Sequence, residues 1–398
     1  MSKPAEAQEV VVRVVDRMAD IPAAKWDALA NPDEAHFDPF LTHAFLNACE
    51  ESGSATRRTG WRPQHLIIEN NSGALEAAMP LYLKTHSRGE YIFDHGWANA
   101  FERAGGHYYP KLLCAVPFTP VTGRRLLTRA GGDAAMLERQ LLAGAIELCE
   151  RADASSFHIN FPNQGQYDRL GALGLLQRND QQFMWQNHGY ETFDDFLGEL
   201  ASRKRKAIRR EREGAVEAGI TIEHVTGNDL TEAHWDAFFQ FYMDTGSRKW
   251  GTPYLTRKFF SLINETIPDR TLLIMCKRAG RYIAGALNFI GGEALYGRYW
   301  GAIEHHPFLH FETCYYQAID FAIKHKIGRV EAGAQGGHKL ARGYMPTKTY
   351  SLHFIRDPSF AEAVKRYLAD ERRAVDEHIG ELEGYGPFRR DEHMEEQD

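Results

Sequence analysis

The sequence predicts an α/β (α+β) fold of two tandem units, and features of the second half of the chain lead to this prediction. Residues 271–302 contain three consecutive apolar runs that are typical of strands, with breaks at Gly280 and at 291–292. Apolar residues between Phe311 and Ile323 then recur at helical spacing and give an apolar face of about four turns. A further strand-like run, RVEAGAQ, follows Gly328.

Antiparallel strands followed by a helix and by a strand beside them form the core of the acetyltransferase-like (GNAT) fold. In that fold the acyl donor lies where two central strands splay apart, next to the N-terminus of the helix. We therefore expect one GNAT-like unit in the second half of the chain. The first half shows the same series of elements, without strong sequence identity to the second.

The elements of the first half follow from caps, turns and periodicity. Thr42 is placed to cap a helix, and Asn71-Ser72-Gly73 is a turn between two paired strands. The section 86–124 is rich in aromatic residues, Gly and Pro, and predicts loops. The predicted elements are a strand at Val10–Asp16, helices around Ala23–Leu29, Thr42–Glu51 and Ala134–Arg151, and a strand at Ser155–Phe161. We expect a first domain at 1–165, a second at 182–380 and a disordered acidic tail at 387–398.

Bulk properties narrow the class of protein. The chain has 398 residues and a hydrophobic fraction of 43%, which suits two domains with a sizeable core. A formal net charge of −7 argues against a general nucleic-acid coat protein. The five scattered cysteines show no CxxC or zinc spacing, which predicts reduced thiols and a cytoplasmic protein. We expect no transmembrane segment, since the sequence has neither an apolar signal region nor a membrane-spanning run.

The segment 192–214 predicts a helix with a strongly basic surface. Thr192 can cap this helix together with Asp195, three residues later. Seven cations follow close together and repel one another, so a bound phosphate would stabilise them. The alternative is a solvated helix face with ordinary surface cations. The cations predicted to bind phosphate of the acyl donor are Arg205, Arg209 and Arg212.

Amide formation needs a base for the amine, a group that polarises the acyl carbonyl and stabilisation of the leaving group. Glu331, in the predicted strand after the helix, is a candidate base, although its position also fits an ordinary amphipathic strand. His310 and Glu312 lie at the predicted start of the helix, and Arg298 lies on the strand before it. An acid such as Glu312 is favourable in any first helical turn, so a purely structural role stays open.

Two polar clusters lie close to these candidates. The histidines His305, His306 and His310 form no recognisable ligand set, so no metal is expected. Downstream, two flexible glycines precede His338 and Lys339, and these side chains could hold an oxyanion or a phosphate of the donor.

Several long motifs carry a family resemblance. They are GRYWG, HFETCYYQAID and VEAGAQGGHKLARGYMP in the second half, and HSRGEYIFDHGWA and YYPKLLCAVPFTPVTGRRLL in the first. These motifs resemble the FemAB-like N-acyltransferases, which are relatives of the enzymes that attach amino acids to peptidoglycan precursors. The resemblance extends over roughly residues 10–375 and implies two tandem GNAT-like domains.

The resemblance also implies site residues near the end of the second domain. The segment 341–344 resembles the aromatic-Lys-x-Gly-aromatic element of the Fem ligases, whose lysine is linked to the use of aminoacyl-tRNA. Here Arg342 or Lys339 supplies the cation, Tyr344 is the closing aromatic residue that would contact substrate, and the first aromatic residue is missing. We expect Arg342 to stabilise an oxyanion or a phosphate. The GNAT pyrophosphate pattern is also replaced, by HHPFLHF.

The family-like motifs of the first half contain residues that would bind the acceptor. Aromatic side chains in loops make good recognition surfaces. The alternative is that these side chains fill the protein core. The predicted acceptor-binding residues are His86, Asp94, Trp97, Tyr108 and Lys111.

The sequence thus predicts an N-acyltransferase that joins an activated acyl or aminoacyl group to the amine of a small molecule or precursor by direct attack. No GxSxG elbow or Cys/His pattern predicts a covalent enzyme intermediate. The predicted donor is acyl-CoA or aminoacyl-tRNA. The alternatives are an aminoacyl-tRNA-dependent peptidoglycan-precursor aminoacyltransferase, and a non-catalytic module that binds a cell-wall precursor or RNA.

Overall fold

The computed structural model describes residues 11–249, 253–333 and 336–389. The described residues form two compact units, one made of residues 11–32, 40–178 and 350–369, the other of residues 33–39, 179–349 and 370–389. The contiguous domain ranges expected from the sequence, 1–165 and 182–380, stay a prediction. Of the predicted acidic tail, the part after residue 389 lies outside the described residues.

The helices and strands are numbered along the chain. Up to residue 172 they are β1 (Val12–Val15), α1 (Ala23–Ala30), α2 (His43–Glu51), β2 (Trp61–Pro63), β3 (His65–Glu69), β4 (Leu75–Met79), β5 (Leu81–Lys84), α3 (His95–Arg103), β6 (Lys111–Cys114), β7 (Leu127–Thr128), α4 (Ala134–Arg151), β8 (Ser156–Asn160) and α5 (Gln164–Ala172). From there on they are β9 (Leu176–Gln186), α6 (Phe193–Glu199), α7 (Ser202–Val216), β10 (Ile220–Thr226), α8 (Glu232–Lys249), α9 (Arg257–Thr266), β11 (Thr271–Arg278), β12 (Arg281–Ile290), β13 (Ala294–Ala302), α10 (Leu309–Phe311), α11 (Gln317–Lys324), β14 (Arg329–Glu331), β15 (Met345–Ile355) and α12 (Pro358–Gly384).

Each unit contains a central strand, a helix and then a strand parallel to the first. In the first unit the strands pair in the orders β1-β3-β4-β7 and β15-β8-β6-β5-β2, and β8 runs parallel to β6 after helix α4. In the second unit the order is β10-β11-β12-β13-β14-β9, and β14 runs parallel to β13. The fold is therefore mixed α/β with two GNAT-like units in tandem, as the sequence predicts.

Local signals in the sequence are confirmed at several elements. Thr42 caps α2, and its Oγ1 accepts a hydrogen bond from Phe45 N at 3.1 Å. Thr192 caps α6 as half of a capping box, since Thr192 Oγ1 accepts from Asp195 N and the Asp195 carboxylate accepts from Thr192 N. Helix α4 has the predicted bounds, because its apolar residues keep helical spacing throughout.

Three expectations need correction. The segment 192–214 forms two helices, because Leu200 adopts an extended backbone, is fully buried and pairs with Phe388. The section 86–124 is not only loop, since it holds α3 and β6. The strand expected at RVEAGAQ ends at Glu331, because the carbonyls of the next two residues bind a lysine side chain instead of a neighbouring strand.

Candidate active site

The two central strands of the second unit separate at a point that we call the fork. Strands β13 and β14 pair in parallel from Ala294 opposite Arg329 to Tyr296 opposite Glu331. Strand β14 ends there, whereas β13 continues to Ala302. Side chains at the last pair and just beyond it therefore lie around the gap between the strands.

Glu331 is the acidic group of the fork, and its side chain is only 1% exposed. Its Oε1 accepts a hydrogen bond from Arg329 Nε at 3.1 Å, and its Oε2 lies 3.7 Å from Arg298 Nη2. Oε2 accepts no hydrogen bond from the residues that the structure describes, and neither does the buried Oδ1 of Asn288. A buried acceptor is costly until a donor reaches it. The fork therefore presents acceptors that a bound amine could satisfy.

Lys339 brings a positive charge to the end of β14. Its Nζ donates to the carbonyl oxygens of Ala332 at 2.7 Å and Gly333 at 2.9 Å. Burial, and next the charge of Arg298, lower the pKa of Lys339 to about 8. An ammonium group has three N–H donors, so one donor remains beyond the two carbonyls. The structure thus brings together Arg298, Glu331 and Lys339, three of the residues that the sequence analysis proposes for a site.

The central helix, which we define as α10, the π-helical segment Glu312–Tyr316 and α11, starts irregularly. Phe308 precedes it with a positive φ of 61°, and Thr313 Oγ1 donates to Leu309 O at 2.8 Å. Segments with π geometry are rare and frequently lie at functional sites. Residue spacing in the sequence predicts a continuous α-helix here, because the apolar residues from Phe311 to Ile323 recur at intervals of three and four.

Glu312, the first residue of the π segment, is buried against helix α7. Its Oε1 accepts from Arg212 Nη2 at 3.0 Å and from Gln317 Nε2 at 2.7 Å. Arg212 also donates to Asp320 Oδ2 at 2.5 Å. Burial raises the pKa of Glu312, against the charge of Arg212. The guanidinium of Arg212 is therefore engaged within the protein, which leaves it poorly placed for the predicted phosphate contact.

Arg342 makes a second connection between α7 and the site. Its Nη2 donates to both carboxylate oxygens of Glu211, at 2.8 and 2.9 Å, and its Nη1 donates to His338 O at 2.7 Å. Tyr316 also donates to Glu211, and the guanidinium lies 3.5 Å from the ring centroid of Phe311. Most of the N–H donors of Arg342 are therefore occupied, and Arg342 joins the loop Gly337–Arg342 to α7. Few donors of Arg342 remain for the predicted contact with an oxyanion.

Aromatic rings surround the start of the central helix. The ring of His310 lies 5.3 Å from Trp300, 5.5 Å from Tyr315 and 6.2 Å from His338, measured between centroids. A hydrogen bond of 2.9 Å joins Tyr315 Oη and His338 Nε2. Of the predicted site residues, His310 and His338 therefore lie together on this side of the site.

Tyr344 lies in the core of the unit and is fully buried. Its hydroxyl donates to Tyr315 O at 3.3 Å. Gly343 before it has a φ of 88°, and a side chain there would come within 2.7 Å of the Phe196 ring. This burial does not favour the contact with substrate that the resemblance implied. Tyr344 instead packs against Tyr315, with 5.4 Å between the ring centroids.

The remaining cations of α7 differ in their contacts. Arg209 is exposed and pairs with Asp194 at 2.9 Å. Arg205 is half-buried, and its side chain has no hydrogen bond or ion pair within the described part of the chain. The N-cap of α7, Ala201, provides no side-chain cap; the N–H groups of Lys204 and Arg205 donate to Ala201 O, which leaves those of Ser202 and Arg203 to meet an anion. Within the described ranges, no three His, Cys, Asp or Glu side chains form a group that could hold a metal ion.

In the first unit, Lys111 is the centre of a buried polar network. Its Nζ donates to Ser87 Oγ and Glu90 Oε2 at 2.7 Å each and also to Asp94. Tyr108 donates to Asp94 Oδ2 at 2.7 Å. Burial alone would lower the pKa of Lys111, but the two carboxylates outweigh burial and raise it. Of the predicted acceptor-binding residues, three are thus buried and paired with one another.

The other two residues predicted to bind the acceptor have separate surroundings. His86 Nε2 donates to Thr59 O at 2.9 Å, and burial lowers the pKa of His86 to about 4. Trp97 is 7% exposed and lies edge-on to His353, with 4.8 Å between the ring centroids. The guanidinium carbon of Arg178 lies 5.1 Å from the centroid of the Trp97 ring. These contacts agree with the alternative that the aromatic residues fill the core.

A buried histidine pair next to this network was missed by the sequence analysis. His158 on β8 and His353 on β15 face each other, with their Nδ1 atoms 2.7 Å apart. Their Nε2 atoms lie 2.7 and 2.9 Å from the hydroxyls of Ser156 and Ser351. The available signal was the repeated Ser-x-His pattern on two strands. The role of Glu211 as the partner of Arg342 was not predicted either, because within a run of cations an acid is expected only to offset part of their charge.

A family model matches residues 17–390, which is most of the chain; the family is FemAB-like, described as peptidoglycan biosynthesis/recognition. Fold and family together define the class of this protein as a peptidoglycan biosynthesis/recognition protein built from two GNAT-like units. The chain belongs to the FemAB-like family. No curated protein sequence gives a significant match.

Solved structures with a similar fold include FemX, with a TM-score of 0.53 and 13% identity over 87% of this chain and 98% of that chain. L-PGS from Bacillus licheniformis has a TM-score of 0.50 and 9% identity over 84% of this chain and 98% of that chain. A conserved protein of unknown function from Bacteroides thetaiotaomicron has a TM-score of 0.50 and 12% identity, covering 86% and 99%. At these identities the likeness concerns the fold alone.

None of the described helices combines the length and the apolar character needed to cross a membrane.

The histidine pair predicts a loss of stability in acid. Burial lowers the pKa of His158 to about 3 and that of His353 well below its usual range; Lys111, Asp94 and Arg178 are the charges facing them. Below a pH of about 6.5 the unfolded chain binds protons that the folded chain does not, so the free energy of unfolding falls by up to about 1.4 kcal/mol per pH unit for each histidine.

Chemical denaturation between pH 7 and 5 measures this effect. The double variant His158→Gln, His353→Gln should show a smaller loss of stability over that range than the wild type, because carboxyl groups titrate equally in both. Parallel pH profiles of the two proteins would contradict the assignment.

The contact between Glu211 and Arg342 predicts a strong coupling. Glu211→Ala and Arg342→Ala should each lower the free energy of unfolding by about 2–3 kcal/mol, because each leaves a charge unpaired in a largely buried place. The double variant should lose clearly less than the sum of the two. Urea denaturation of the four proteins measures the coupling, and simple additivity would show that the pair does not join α7 to the loop.

Proposed function

We propose that this protein transfers an acyl or aminoacyl group from an activated donor to an amine by direct attack, without a covalent enzyme intermediate. The observation that carries the proposal is the carboxylate of Glu331, buried in the fork with Oε2 open to a donor. A GNAT-like fold holds its acyl donor where the central strands separate. An amine that reaches the acyl carbonyl there would meet Glu331.

The chemistry follows from the three groups of the fork. The amine attacks the acyl carbonyl and passes its proton to Glu331, which is general base catalysis. Negative charge grows on the carbonyl oxygen, and the third N–H of Lys339 together with Arg298 supplies positive potential for it. The bond between the acyl carbon and the leaving group then breaks, and the leaving group takes up a proton.

The donor would carry phosphate, which both acyl-CoA and aminoacyl-tRNA do. Arg205 supports this part of the proposal, because it is a half-buried cation without a partner in the described chain, close to the uncapped first turn of α7. Arg209 adds a nearby exposed cation. Arg212 is left out of the donor site, since it pairs with Glu312 and Asp320.

The family description favours a peptidoglycan-precursor amine as the acceptor. The residues Asp94, Tyr108 and Lys111, predicted to bind the acceptor, are buried and paired with one another, so we do not assign them a direct acceptor contact. A cytoplasmic location stays a prediction from the sequence.

The decisive variant is Glu331→Gln, which keeps the size of the side chain and removes the base. We expect kcat to fall by roughly 10²–10⁴-fold, the usual cost of losing a positioned base. The matched control is Glu293→Gln, because Glu293 pairs with the same Arg329 from an exposed position. Turnover is measured with acyl-CoA and aminoacyl-tRNA donors against amine acceptors. A folded Glu331→Gln variant with the wild-type rate would remove Glu331 from the mechanism.

The donor site is tested with Arg205→Gln and Arg209→Gln combined. The KM for the donor should rise several-fold and depend less on salt, because ions screen the pairing of cations with phosphate. Arg57→Gln, Arg58→Gln on the first unit changes the net charge equally and serves as control. The donor class whose KM responds identifies the natural donor type. An unchanged KM and salt dependence for every donor would mean that these two cations do not bind it.

A further inference from the structure

Helix α7 has two faces with different partners. The inward face carries the buried Ile208 and Ala215, and next to them Glu211 and Arg212, which pair with the site as described. The outward face carries the exposed cations Arg203, Lys206 and Arg210 and, toward its C-terminal end, the exposed acids Glu213 and Glu217. The side chains of these three cations make no hydrogen bond or ion pair with any residue in the described part of the chain.

An exposed aromatic residue continues this outward face. Phe308 is 39% exposed although its ring is large and apolar. It lies against Gly214 of α7, where a β-carbon would be 3.2 Å from the ring. Positions 203, 206, 210 and 214 follow one another at intervals of three and four residues, which places them on one face of a helix. We call the row formed by Arg203, Lys206, Arg210 and Phe308 the basic stripe.

We propose that the basic stripe is a docking surface for an anionic lipid bilayer. Residues in one row along a helix can all contact a flat surface, such as a bilayer, at the same time. Cations at such a surface interact with headgroup phosphates, and an exposed aromatic side chain at the end of the row can enter the boundary between headgroups and acyl chains. The three cations lie within residues 203–210, ahead of the exposed acids Glu213 and Glu217, so this part of α7 carries the positive charge that would meet headgroup phosphates.

The stripe is separate from the proposed acyl-donor site. Its three cations point away from the inward face of α7, which contacts the central helix through Glu211 and Arg212. The side chains proposed to bind the donor phosphate are those of Arg205 and Arg209, and neither belongs to the stripe. The inference does not depend on the proposed function.

A single-stranded nucleic acid is the less favoured partner. Such a strand needs a groove that follows its backbone and several rings on which successive bases stack. The stripe lies along one face of a single helix and has one exposed ring. Binding of RNA is nevertheless an outcome that the experiment has to separate from binding of lipid.

The experiment measures sedimentation of the full chain with two kinds of vesicles. One is pure phosphatidylcholine, and the other contains roughly one third phosphatidylglycerol, which gives an anionic surface. We expect binding to the anionic vesicles only, with an affinity that falls as salt is raised. Each cation at an anionic surface is worth about a factor of five, so Arg203→Gln, Lys206→Gln, Arg210→Gln should weaken binding about a hundredfold. Phe308→Ser should weaken binding several-fold and leave the salt dependence unchanged.

The control is a triple variant with the same change of net charge, Arg57→Gln, Arg58→Gln, Lys324→Gln, which alters exposed cations on other elements. It should bind vesicles like the wild type. The variant Lys206→Gln, Arg210→Gln, which leaves the first turn of α7 unchanged, should keep the wild-type turnover with soluble donors, which separates this inference from the proposed function. Equal loss in both triple variants, or no binding of the wild type to anionic vesicles, would overturn the proposal. So would stripe-dependent binding to an RNA oligonucleotide without binding to vesicles.

Discussion

The arrangement of the candidate site depends on helix α7, which binds two separate parts of the second unit through two adjacent residues. Glu211 of α7 binds Arg342 in the loop, and Arg212 binds Glu312 in the central helix. Adjacent residues on a helix point about 100° apart, so the two contacts reach in different directions from a single rigid element. All four groups are shielded from water to a large extent, and such charges are stable only when they stay paired. The loop that carries Lys339 is thereby fixed relative to the central helix.

The two units use the same order of strand, helix and parallel strand, but the sign of the central buried charge differs. In the first unit, the ammonium group of Lys111 donates to Ser87, Glu90 and Asp94, while Glu90 Oε1 and Asp94 Oδ1 accept no hydrogen bond from the described residues. In the second, the carboxylate of Glu331 lies between Arg329 and Arg298, at the place where β13 and β14 separate. Buried acceptors without donors thus occur in both units, and the separation of the strands is the physical reason to propose chemistry at Glu331.

The sequence predicted what local physics controls. The caps at Thr42 and Thr192 and the bounds of α4 follow from hydrogen bonds and periodicity within a few residues. It could not predict the contact between Glu211 and Arg342, which lie 131 positions apart in the chain. The burial of Glu331 depends on β13 and β9 on either side of its strand, and alternation along one strand does not reveal its neighbours. For the same reason the sequence alone could not predict that Lys111 and its partners are buried.

The π-helical segment Glu312–Tyr316 limits the way in which the helix start can change during evolution. A π turn contains one residue more than an α turn. Loss of one residue from this segment would restore ordinary helical winding and rotate everything before it by about 100° around the axis. His310 and Phe311 would then leave the rings that they now face. The length of the segment is therefore constrained by the orientation of the two residues in front of it.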